Sequence, residues 1–309
     1  MISILKPAVQ TTVQDLGRTG FRHLGVGWSG AMDRLSLIIG NYLVGNAKDA
    51  AGLELCIPPA RIRFDTACII ALTGADCSAR LDDAALGVGC RALVNAGQTL
   101  DLSVARSGVR AYLCIAGGID VPPVLGSRST DLQAGLGGLE GRLIRRGDEL
   151  RFCASRSSYR MGANVAMPQM GTSLRLIPGP DANSFSAVSS ELLYEGSWKV
   201  SAQSNRMGYR LEGPALVRQD NEELKSHAVF PGTIQVPSGG APIVLMADAQ
   251  ATGGYPRIAS VIAADQWQLA QIPGGTRIRF VPSTRAAALL AWQQQQSYLE
   301  DIQRSLRAH

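Results

Sequence analysis

Ser204-Asn-Arg-Met-Gly-Tyr-Arg210, Pro231-Gly-Thr-Ile-Gln-Val-Pro237 and Asp248-Ala-Gln-Ala-Thr-Gly-Gly-Tyr-Pro256 follow one another within the stretch from Val200 to Pro256. Each sets long polar or aromatic side chains beside Gly or Pro, the residues that permit tight turns and close approach of backbone to a ligand. Beside them run Ile243-Val-Leu-Met246 and Ile258-Ala-Ser-Val-Ile262, short apolar segments bounded by turn residues, which read as buried strands. The stretch therefore reads as a sheet whose strand ends carry functional loops. On that scaffold Arg206, Arg210, Gln235, Gln250 and Tyr255 are expected to converge on one concave surface. Guanidinium, amide and phenol donors suit a carboxylate, a phosphate or an amide oxygen gaining negative charge. Taken singly, the same residues also fit hairpin glycines, surface ion pairs and a core tyrosine.

Working outward, the 309 residues suffice for two ordinary domains, and 46% hydrophobic with 18% charged residues places the chain among globular proteins. With 34 Gly and 15 Pro, many short strands and turns are expected, hence a mostly β fold. The net charge of +5 comes from singly scattered Lys and Arg, which argues against nucleic acid and fits a small anionic substrate or an acidic partner. Cys56, Cys68, Cys77, Cys90, Cys114 and Cys153 form no C-x-x-C pair, and several lie in apolar runs, as reduced small hydrophobes do. Neither a signal peptide nor an apolar run of about 20 residues is evident, so a soluble, cytoplasmic protein without membrane contact is expected.

In the first half, Leu35, Ile38, Ile39, Tyr42 and Leu43 recur at helical spacing between Asp33 and Val44, with Gly45-Asn46 as the stop. Strands are expected at 61–64, 68–72, 92–94, 99–102 and 110–115, at spacings typical of a barrel or sandwich. A linker is read over 155–172. Strand patterning resumes at Ser173 and ends at Arg277-Ile-Arg-Phe280, echoing Glu149-Leu-Arg-Phe152 and hinting at an internal repeat. The domains expected are 1–155, 173–282 and a C-terminal helix over 283–309. That helix starts from a cap at Ser283 or Thr284, with Leu289, Leu290, Trp292, Leu299, Ile302 and Leu306 on one broad side. It packs either on its own domain or on a partner.

No G-x-x-x-x-G-K-[ST] loop is present, and the glycines from Gly135 to Gly141 lack the strand-loop-helix setting of a dinucleotide site. His23, His227 and His309 are too few for a histidine-rich metal site, and no metal is expected. No biotin-acceptor lysine motif occurs, so any biotin must arrive on another chain or domain.

The motifs VQDLGRTG (Val13 to Gly20), SGAMD (Ser29 to Asp33), LVGN (Leu43 to Asn46), LGSRST (Leu125 to Thr130), SNRMGYRLEG (Ser204 to Gly213), PGTIQVP (Pro231 to Pro237) and QATGGYP (Gln250 to Pro256) occur in order. Through them the chain resembles the biotin-dependent carboxyltransferase family, which includes the C-type subunit of bacterial ATP-dependent 5-oxoprolinase and is also called the allophanate hydrolase subunit 2 or KipI antagonist family. The resemblance spans roughly residues 4 to 282. It implies two cyclophilin-like β-barrel domains and a complex with a KipI-like B-type subunit and an A-type subunit, with ATP used through that complex. The activity implied first is opening of 5-oxoproline to L-glutamate. Carboxyl transfer from carboxybiotin to a urea-like amide is an alternative, as is non-enzymatic sequestration of a KipI-like kinase inhibitor. Under the first reading Arg206 and Arg210 would clamp carboxylate or phosphate, Gln235 and Gln250 would orient the amide, and Tyr255 would donate or relay a proton. Asp248 is a candidate base or orienting carboxylate, or else a turn cap. Asn205, Thr252, Gly253 and Gly254 complete the substrate-binding candidates. The chain departs from the family form at Ala251, where threonine is usual, and at Trp28, where proline is expected.

Overall fold

The computed structural model describes residues 1–155, 162–220 and 224–307. The chain divides into two compact units, one of residues 1–19, 29–169 and 297–309, the other of residues 20–28 and 170–296.

The first unit contains β1 (Ile2–Lys6), β2 (Gln10–Gln14), α1 (Arg34–Leu43), β3 (Gly52–Cys56), β4 (Ala60–Phe64), β5 (Cys68–Asp76), β6 (Arg80–Leu81), β7 (Ala84–Ala85), β8 (Cys90–Val94), β9 (Thr99–Leu102), β10 (Ser107–Ile115) and β11 (Glu149–Leu150). They form two sheets, ordered β11-β1-β4-β9-β6-β7 and β2-β3-β10-β5-β8. Alternating residues of both sheets, among them Ile4, Ile62, Phe64, Ile70, Leu72 and Leu113, meet in a single core. Helix α1 starts where expected because Asp33 caps it, its carboxylate accepting from Ser36 N at 2.9 Å. The SGAMD segment before it is tied down by a buried polar network. Glu54 Oε2 accepts from Met32 N at 2.8 Å and from the Tyr112 hydroxyl at 2.7 Å, while that hydroxyl accepts from Asp33 N. Full burial, reinforced by the Glu54 charge, pushes the Tyr112 phenol well above its ordinary value, so it stays protonated and keeps donating. Burial likewise pushes the Cys68 and Cys77 thiols up to about 12, so both remain inert small hydrophobes.

The second unit contains β12 (Ser173–Pro178), α2 (Ala187–Glu195), β13 (Trp198–Val200), β14 (Gly208–Glu212), β15 (His227–Ala228), β16 (Thr233–Gln235), β17 (Ile243–Leu245), β18 (Thr252–Gly253), β19 (Arg257–Val261), α3 (Gln266–Gln271) and β20 (Arg277–Pro282). Seven strands close into a barrel in the order β12-β19-β16-β17-β14-β13-β20. The closing contact, β12 with β20, is parallel; all other pairings in the barrel are antiparallel. Trp198 is fully buried and its indole N–H donates to Leu193 O at 3.0 Å, satisfying the one polar atom it carries inward. Strands β15 and β18 form a separate two-stranded ribbon pairing His227 with Gly253 and Ala228 with Thr252.

The mostly β fold agrees with the sequence. Three details differ from what the sequence suggests. Of the 155–172 linker, 156–161 lie outside the described residues, but the backbone around Ala163 and Val165 bonds to Gly89 and Arg91, so this part is packed. The Arg-Phe echo does not mark equivalent strands, since β11 pairs antiparallel with β1 whereas β20 pairs parallel with β12. Finally, α4 (Arg285–Arg307), capped by Thr284 Oγ1 accepting from Ala287 N at 3.1 Å, does not bury the side its large apolar residues suggest. Its inward stripe is Ala288, Ala291, Gln295, Leu299 and Ile302, at true helical spacing, and Leu289, Leu290 and Trp292 fall off it and are exposed. Leu299→Ala or Ile302→Ala is expected to cost about 2–5 kcal/mol in urea unfolding and Leu290→Ala less than about 0.5; equal effects would refute this orientation.

Candidate active site

The site grows from the end of β16. Gln235 is 1% exposed there, and a buried carboxamide must find partners. Its Nε2 donates to Tyr255 O at 3.2 Å, drawing the 250–256 loop to the barrel end. Gly253 makes this possible, because a Cβ at that position would lie 2.9 Å from Gln235 Nε2 and 3.5 Å from Gln250 Nε2. Two carboxamides thus converge on a stretch of backbone that only glycine leaves bare. Immediately beyond it, Gly254 and the half-exposed Tyr255 line a cleft of about 580 Å³ with Leu216, Val217, Arg218 and the Val236–Gly240 turn. The cleft is mainly apolar with a few polar groups, the usual make-up of a small-molecule site.

The arginines expected at this surface are placed differently from one another. Arg206 and Asp248 are both buried and form a bidentate pair, Nε to Oδ2 and Nη2 to Oδ1, each at 2.8 Å. The backbone reinforces it, Asp248 N donating to Arg206 O at 2.9 Å. The pair ties the 204–210 turn to the segment that leads into Gln250. Arg210 is exposed on β14, where strand alternation turns its neighbours Tyr209 and Leu211 inward. Asn205 Oδ1 accepts from Met207 N and Gly208 N, so that side chain shapes the turn. Thr252 is exposed on the ribbon. Gln235, Gln250, Gly253, Gly254 and Tyr255 are therefore brought together, Arg206 and Asp248 form a separate brace, and Arg210, Asn205 and Thr252 join neither group.

One residue that sequence reasoning missed stands at the loop. Arg22, from the segment 20–28 of this unit, donates through Nη2 to Val229 O and, at 2.9 Å, to Gln250 O. Its guanidinium lies 4.9 Å from the Trp28 ring centre and 5.4 Å from that of Phe230, the two rings being 5.9 Å apart. Burial holds the Arg22 pKa below its ordinary value. No local pattern signals this, since its partners are 207 and 228 residues distant.

The remaining loop motifs organise the first unit. Asp15 accepts from Gly17 N and Ser127 Oγ, both at 2.7 Å, and also from Ser129 Oγ and Arg128 N, while the fully buried Arg18 donates to Ser129 O. VQDLGRTG and LGSRST are thus two halves of one polar knot. Gly30 lies so close that a Cβ would stand 2.8 Å from Gly17 N.

A family model described as carboxyltransferase domain, subdomain A and B, matches residues 24–282. The chain belongs to this carboxyltransferase family. It is 48% identical over 302 residues to the C-type subunit of 5-oxoprolinase from Escherichia coli (strain K12), covering 98% of this chain and 97% of that one. It is 38% identical over 304 residues to the corresponding 5-oxoprolinase subunit of Haemophilus influenzae, covering 98% of both. Urea amidolyase of Lachancea kluyveri is 32% identical over 97% of this chain, which spans only 18% of that protein. Among solved structures, K. lactis urea amidolyase superposes with a TM-score of 0.92 at 29% identity over 97% of this chain, which spans 20% of the amidolyase chain. TTHA0988 superposes at 0.83 with 33% identity over 91% of this chain and 55% of its own.

Ala251 and Trp28 are the two positions expected to depart from the family's form. Ala251 keeps its backbone role, its carbonyl accepting from Val229 N at 3.1 Å, and Trp28 supplies a ring to the Arg22 stack. Arg206→Ala removes the guanidinium that pairs with the buried Asp248 carboxylate and is expected to cost about 3–5 kcal/mol in denaturant unfolding. A loss under about 1 kcal/mol would contradict a buried pair.

Proposed function

We propose that this chain is one component of an ATP-dependent 5-oxoprolinase, which opens the lactam of 5-oxoproline to L-glutamate together with a KipI-like B-type subunit and an A-type subunit. The observation that carries this reading is the end-to-end match at 48% identity to the C-type subunit of a 5-oxoprolinase, with 97% of the relative covered. A lactam carbonyl is a poor electrophile, and transfer of a phosphoryl group from ATP to its oxygen makes the carbon attackable by water. The C–N bond then breaks as the ring nitrogen takes a proton, leaving an acyl phosphate, and a second water releases phosphate to yield glutamate. In this reading the Gln235 and Gln250 carboxamides hold the lactam N–H and C=O, and Tyr255 donates to charge developing at the cleft. Arg206 and Asp248 keep the two loops that carry these groups in register.

A second reading keeps the same groups for carboxyl transfer between carboxybiotin and a urea-like amide, with the donors stabilising the ureido oxyanion. It is favoured by the family model and by the TM-score of 0.92 to K. lactis urea amidolyase. Biotin would then reach the site on another chain.

Co-expression with candidates for the A-type and B-type subunits, followed by an assay of 5-oxoproline-dependent ATP hydrolysis, separates the two. The complex is expected to hydrolyse ATP only with this chain present, Gln235→Ala to lower kcat/KM about 100-fold and Tyr255→Phe about tenfold. Activity confined to a biotin carrier and urea-type substrates would reject the first reading.

A further inference from the structure

Arg22 is anomalous among the arginines of its unit. Five of them are not fully exposed: Arg22, Arg175, Arg206, Arg218 and Arg257. Arg175 pairs with Asp265 at 2.6 Å, Arg206 with Asp248 at 2.8 Å and Arg257 with Asp181 at 2.9 Å, and Arg218 pairs with Asp220. Among the described residues Arg22 alone of the five has no carboxylate within ion-pair distance; its partners there are two backbone carbonyls and two aromatic rings. Its Nη1 is buried and bonded to none of the described residues. A guanidinium that is partly desolvated normally acquires an anion, because burial penalises the uncompensated charge. Here the rings of Trp28 and Phe230 and the carbonyls of Val229 and Gln250 soften that penalty without cancelling it.

The position of this cation matters as much as its lack of a carboxylate. Its hydrogen bond to the carbonyl of Gln250 places it on the residue whose carboxamide, like that of Gln235, reaches the space left bare by Gly253. We propose that Arg22 recognises the carboxylate of the amide substrate, so that the site discriminates carboxylate-bearing lactams from neutral ones. This assignment rests on the lactam-opening reading. It divides the work at the loop: the carboxamides bind the lactam ring's amide, and Arg22, held against two rings, takes the anionic substituent through its planar N–H donors.

The test uses the full chain and two probes, sodium 5-oxoproline and 2-pyrrolidinone, the same ring without a carboxylate, each titrated by calorimetry. The wild type is expected to bind 5-oxoproline at least about tenfold more tightly than 2-pyrrolidinone. Arg22→Gln is expected to bring that ratio close to one and Arg22→Lys to keep part of it, with thermal melts confirming that both variants fold. A role limited to holding the loop lowers both affinities alike and leaves the ratio standing, which overturns the proposal. So does a wild-type ratio near one, or no binding of 5-oxoproline.

In the assembled complex, Arg22→Gln is expected to raise KM for 5-oxoproline about tenfold or more with a smaller fall in kcat. Activity of the wild-type complex with an unchanged KM in Arg22→Gln overturns the Arg22 assignment alone. A wild-type complex without 5-oxoproline-dependent activity, beside a carboxylate preference that Arg22→Gln abolishes in the titration, overturns the lactam-opening reading alone.

Discussion

A carboxamide buried at the end of a barrel strand has few ways to be satisfied, and Gln235 settles the matter by bonding to the backbone at Tyr255. That bond draws the 250–256 loop onto the barrel and brings Gln250 alongside. It also requires residue 253 to present no side chain, since a Cβ there would strike the amide of Gln235. The site is therefore a consequence of polar satisfaction at one strand end. The buried Arg206–Asp248 pair and the Arg22 stack hold the same loop from its other contacts, one through the segment before Gln250 and the other through the Gln250 carbonyl.

Closure of the barrel gives this arrangement its rigidity. Strands β16, β17 and β19 are paired on both edges, so the ends that carry Gln235 and the 250–256 loop have no free edge to fray. Loops on such a scaffold keep their geometry at low cost, whereas the same side chains on a free hairpin would lose entropy on ordering at each encounter with a ligand. In the first unit, polar knots centred on Asp15 and Glu54 fix the loops around SGAMD by the same logic of buried acceptors meeting several donors.

Much of the scaffold is legible in the sequence because its signals are periodic and local. Helix α1 announces itself through apolar spacing and the Gly45-Asn46 stop, and short runs such as Cys68–Leu72 fit buried strands. The face of the C-terminal helix is hidden because its inward stripe begins with alanines, whose small side chains give weak weight beside the exposed Leu289, Leu290 and Trp292. Within the site, the approach of the Gln235 and Gln250 carboxamides to one loop is readable from turn-rich clusters close in sequence, and Tyr255 joins them through its backbone carbonyl. The pairing of Arg206 with a carboxylate 42 residues away, and the arrival of Arg22 at partners 207 and 228 residues away, depend on tertiary geometry that no spacing encodes.

The central claim, that the bare backbone at Gly253 lets two carboxamides form the amide-recognition site, is tested most directly by Gly253→Ala. The glycine does not occupy the left-handed region, so the backbone tolerates alanine and the added methyl acts on the carboxamides alone. The expected result is a complex that still assembles, melts somewhat lower because the buried Gln235 bond is disturbed, and loses most of the 5-oxoproline-dependent ATP hydrolysis proposed for it. Full turnover in that variant would contradict the claim.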